Sequence, residues 1–107
     1  MSKKKVLFIG MDGATWDVIL PMIGAGRLPN LAALINSGTC GELASTVPCI
    51  SPVAWTSLMT GKNPGKHGIY DFLARQANSY SMRCNSSTSR RSKAIWNLLS
   101  EAGRAVG

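Results

Sequence analysis

The chain has 107 residues, room for one small hydrophobic core, and its 45% hydrophobic content fits a globular chain and argues against a disordered one. Twelve Lys and Arg against five Asp and Glu give a net charge of +7, but the basic residues are scattered and do not alternate with aromatics. Nucleic-acid binding is therefore not expected, whereas attraction of small anionic molecules is. Cys40, Cys49 and Cys84 are odd in number and form no CxxC pair. That pattern points to reduced thiols in a cytoplasmic setting, without a disulfide framework or a zinc knuckle. Lysines 3 to 5 followed by VLFIGM imitate a secretory signal, yet the apolar run is short and Asp12 ends it. No stretch approaches membrane-spanning length, so no membrane partner is expected.

Residues 5–10 (KVLFIG) form a short apolar run of β-formers and predict a buried strand of the parallel type. The glycines of Gly10-Met11-Asp12-Gly13 permit a tight turn and place Asp12 just past the strand's carboxyl end, where open α/β sheets bind ligands. Thr15 suits the cap of a helix over residues 16–25, kinked or divided by Pro21. Pro29 opens a second helix that ends at Gly38, and residues 39–44 predict a second strand. Residues 61–68 read as a Gly/Pro/Lys loop, 79–84 as a short strand and 85–92 (NSSTSRRS) as a polar connection. Ser92 then suits the cap of an amphipathic helix with Ile95, Leu98, Leu99 and Ala102 inward and Gly103 closing it. Alternating strands and helices imply an α/β layer architecture.

Residues 51–72, SPVAWTSLMTGKNPGKHGIYDF, carry the densest signal. GKNPGKH resembles a phosphate-binding loop but fails its spacing: three residues separate Gly61 from Gly65, and His67 stands where a hydroxyl is required. Ser51-Pro52 is a helix-entry signal, with Ser51 as N-cap and Gly61 as the stop. Ser51 thus sits at a helix N-terminus, where the dipole favours anions. Local residues leave two roles open for it, a cap or a nucleophile. His67 is the only histidine; it would be the partner if Cys49 were a nucleophile, but no second ligand stands beside it at metal spacing, so it reads as a loop brace. Trp16, Trp55 and Trp96 read as packing residues, and Lys62 and Lys66 as solvated.

Three stretches, FIGMDGATWD (8–17), GRLPNLAALINSG (26–38) and the 51–72 segment with Thr60-Gly61, Pro64 and His67-Gly68-Ile69, resemble the type I phosphodiesterase/nucleotide pyrophosphatase family of the alkaline phosphatase superfamily. The resemblance runs from about residue 5 to the end. It implies an alkaline-phosphatase-like fold, a mostly parallel sheet flanked by helices. It also implies two divalent metal ions, usually zinc, and a small phosphate-ester substrate. Asp12 matches the family's first metal-binding aspartate. Counting back from Thr60-Gly61, Ser51 matches the nucleophile, which also ligates metal. Many members have threonine there, and the nucleotide pyrophosphatases place an asparagine three residues later, where this chain has Ala54.

The resemblance covers only the start of a family domain. The 107 residues are thus expected to be the truncated N-terminal part of a single catalytic domain, inactive and poorly soluble by themselves, with metal ligands completed from beyond them. A hydrolase of phosphoric esters is the main expectation. Other superfamily activities, such as a phosphonate hydrolase or phosphomutase, and a degenerate domain that binds an anion or a partner, are the alternatives. A sulfatase is disfavoured, because neither the proline spacing nor the following arginine of its C/S-x-P-x-R motif is present around Cys49 to Pro52. A metal shared by Asp12 and Ser51 would hold both oxygens about 2.0–2.2 Å away.

Overall fold

A computed structural model describes residues 5–107. It separates into two compact units, Met1–Leu43 and Ala44–Gly107.

The first unit carries α1 (Trp16–Gly24) and α2 (Pro29–Ser37). Thr15 has extended backbone at the N-cap, and its Oγ1 accepts from the Asp17 N–H at 3.4 Å. The helix runs through Pro21 without a break, so Pro21 does not divide it. The two helices touch each other and are bent by 104° across the intervening residues. Pro29 begins α2, and the Gly38 N–H closes it on the Leu34 carbonyl at 2.9 Å.

The second unit carries α3 (Ser51–Thr60), a single helical turn α4 (Pro64–His67), an antiparallel pair β1 (Leu73–Arg75) and β2 (Met82–Cys84), and α5 (Ile95–Glu101). Leu73 pairs with Cys84, Ala74 with Arg83 and Arg75 with Met82. Gly61 and Gly68 take left-handed conformations, at φ 64° and 78°, and end α3 and α4. The buried side chains are few: Val53 of α3, His67 of α4, Ile69 just beyond it and Ala94 before α5.

Several expectations are corrected here. The mixed helix and strand content suits an α/β chain, but among the described residues the sheet is a two-stranded antiparallel one and no parallel ladder forms. Residues 5–10 and 39–44 are not strands. A strand is defined by a neighbour that takes its N–H and C=O groups, and no described segment supplies one to residues 5–10, where Val6 and Leu7 are 92% and 83% exposed. β1 was not anticipated, and β2 occupies the second half of the expected 79–84 strand. The caps of α3 and α5 shift to Ile50 and Ala94, so neither Ser51 nor Ser92 holds the N-cap position. The Ser92 hydroxyl points instead to the Lys66 carbonyl at 3.4 Å. Ile95 and Leu98, expected to face inward, are 53% and 51% exposed.

Candidate active site

Ser51 is the first residue of α3 and is half-buried. Its neighbour Ile50 has extended backbone, φ −131° and ψ 148°, and the Ile50 carbonyl accepts from Val53 N–H at 3.1 Å and Ala54 N–H at 2.9 Å. Pro52 has no N–H to offer. With the Val53 and Ala54 amides already donated, the helix start acts on a nearby anion through its dipole more than through a row of free donors. The expected asparagine position, Ala54, supplies no side-chain donor either.

Another side of α3 is tied down. His67 is completely buried. Its Nδ1 accepts from the Ile69 N–H at 3.1 Å, so that nitrogen carries no proton. The proton then sits on Nε2, which donates to the Ser57 Oγ at 2.9 Å. Burial lowers the His67 pKa from its ordinary value and holds the ring neutral. The His67 carbonyl accepts from the Arg91 N–H at 2.9 Å, joining α4 to the segment before α5. His67 is therefore a brace, as its setting in the sequence suggests, and no side-chain nitrogen is left for Cys49. The Cys49 Sγ instead donates to the Ser45 Oγ at 3.2 Å, and all three cysteines are exposed free thiols. Ser57 is the partner of His67 that sequence reasoning overlooked. Ten residues separate it from His67, and no local rule links a serine inside one helix to a histidine in the next.

Asp12 lies in the first unit, exposed on the turn that the left-handed Gly13, at φ 69°, allows before α1. An open groove of about 600 Å³ lies nearby, lined by Met11, Thr15, Trp16, Asp17, Leu31 and Glu42 among others, and Asp12 does not line it. Asp12 and Ser51 belong to different units, each described within its own. Among the described residues, no three His, Cys, Asp or Glu side chains stand together as a metal site.

The family described as type I phosphodiesterase / nucleotide pyrophosphatase matches residues 6–107. The chain belongs to this family. The match spans Asp12, Ser51 and the His67 brace alike, and the family hydrolyses phosphoric esters, usually with metal ions. No curated protein and no solved structure matches this phosphodiesterase-family chain significantly.

Proposed function

We propose that this chain supplies the nucleophile-bearing part of a metal-dependent phosphodiesterase acting on a small phosphate ester, with Ser51 as the nucleophile. The observation that supports this is the place of Ser51 at the start of α3, inside the family match, with its helix braced from behind. The Ser51 oxygen attacks phosphorus and the bond to the leaving alcohol breaks, the alcohol departing with the serine proton. Water then cleaves the phosphoserine, releasing a phosphomonoester and restoring the hydroxyl.

Two divalent ions, zinc for preference, would polarise the phosphoryl oxygens and lower the pKa of the attacking alcohol when bound. The described residues alone do not form such a centre. The proposal assigns the chain one carboxylate donor, Asp12, and the Ser51 oxygen, and leaves the remaining ligands and the parallel sheet of the family fold to residues outside it. Ala54 offers the phosphate no side-chain donor, which favours a phosphodiester over a nucleotide pyrophosphate as substrate. The exposed free thiols fit a reducing, cytoplasmic setting.

Ser51→Ala in the catalytically complete protein tests the reading. Turnover of bis(4-nitrophenyl) phosphate is expected to fall at least about a thousandfold with the fold retained. Phosphate trapped by acid quench should be found on Ser51 by mass spectrometry. Near-normal turnover by the variant would move the nucleophile elsewhere. No turnover by the unaltered protein with metals supplied would favour a degenerate domain that binds an anion or a partner.

A further inference from the structure

We propose that His67 is a positioning residue for Ser51, acting through the Ser57 hydroxyl to fix the rotation of α3 about its own axis. The inference rests on the reading of Ser51 as nucleophile, but its structural half stands on α3 alone. A helix of ten residues is marginal by itself and takes its orientation from what its sides touch. Val53 and Ser57 lie four residues apart, on one face. Val53 is fully buried there, and Ser57 receives the Nε2–H of His67 at 2.9 Å. Ser51 lies six residues before Ser57, about 120° around the helix at 3.6 residues per turn. The grip is therefore on a different side of the helix from the reacting oxygen. Val53 supplies contact without direction, whereas the hydrogen bond from a buried ring supplies a fixed angle.

The ring itself is held by a second bond. With Nδ1 committed to the Ile69 N–H, the imidazole has one tautomer and one orientation, and only Nε2 is left to point at Ser57. Two substitutions separate these bonds. His67→Gln places an amide N–H where Nε2 was and gives up the acceptor for Ile69. His67→Asn keeps the acceptor for Ile69 and cannot reach Ser57. If the bond to Ser57 is what positions α3, Gln should serve and Asn should not.

The test is hydrogen exchange of the Val53 and Ala54 amides, which close the first turn on Ile50, measured on the full chain. Ser57→Ala and His67→Asn are expected to speed exchange about tenfold, the loss of one hydrogen bond at a buried site. His67→Gln should stay within about threefold of the unaltered chain. In the catalytically complete protein, kcat for bis(4-nitrophenyl) phosphate should fall in the same order while KM holds. Exchange unchanged by Ser57→Ala overturns the proposal, as does a His67→Gln that behaves like His67→Asn. Should both His67 variants fail to fold, Ser57→Ala decides alone. Exchange in the expected order with kcat unmoved would overturn the positioning role, while the nucleophile reading is decided separately by Ser51→Ala.

Discussion

Protonation of His67 would turn Nδ1 from an acceptor into a donor facing the Ile69 N–H, and would place charge where no water reaches. Burial accordingly holds its pKa below the ordinary value of 6.5. The unfolded chain takes up the proton at that ordinary value and the folded chain only at lower pH. The contribution of a neutral His67 is thus complete above about pH 7.5 and is lost as pH falls through 6.5 toward the folded value. Urea midpoints for the second unit are expected to be level from pH 8 to 7.5 and to decline below pH 6.5, and His67→Gln should flatten that decline. Gly68 tests backbone strain at the same place. Its φ of 78° is left-handed, and an added Cβ would come within 3.0 Å of Arg91 Cδ. The arginine side chain is free to swing aside, so the backbone decides, and Gly68→Ala should cost about 1–2 kcal/mol by chemical denaturation.

At the scale of elements, α5 shows how a helix starts without the serine that the sequence offers. Asn97 Oδ1 accepts from the Ala94 N–H at 3.0 Å and from Arg90 Nη2 at 3.4 Å, so a residue inside the first turn reaches back to the cap. Asn97→Ala should cost about 1 kcal/mol, and Asn97→Asp, which keeps the acceptor, much less. The exposed pair of Lys93 and Glu101, at 2.7 Å, is expected to contribute little, and Glu101→Gln should change stability by less than about 0.5 kcal/mol. The helices were legible because Thr15, Pro29, Gly38 and Gly61 punctuate them locally. The caps of α3 and α5 were misread because residue type suggests a cap while backbone angle decides it. Strands were the least legible, since residues 5–10 have the composition of a strand and no described neighbour to pair with. The family resemblance was readable from motif spacing, whereas the Ser57–His67 bond is a contact between helices and has no pattern along the chain.

Across the whole molecule, apolar side chains lie in the open: Val6, Leu7 and Ile9 in the first unit, Val47, Ile95 and Leu98 in the second. Exposed apolar surface on this scale drives association. The purified 107-residue chain is expected to self-associate, read as a light-scattering mass above that of the monomer and rising with concentration. The proposed sharing of one metal by Asp12 and Ser51 makes a separate demand. In an experimental structure with zinc bound, both oxygens should lie about 2.0–2.2 Å from one ion, and a separation above about 10 Å between them would end that reading.

The GKNPGKH segment has the glycines and lysines of an anion-binding loop, and its folded form inverts that function. The amides of Gly61, Lys66, His67 and Gly68 are all donated inward, to the carbonyls of Ser57, Asn63 and Pro64. Gly61 closes α3, Gly65 lies inside α4 and Gly68 closes it, so none of these glycines opens a helix toward an anion. Lys62 and Lys66 are exposed, so any pull they exert on an anion is that of solvated charges and is screened by salt. A run that reads along the chain as an anion cradle is in space a helix stop followed by a single turn, with these four amides already committed to carbonyls.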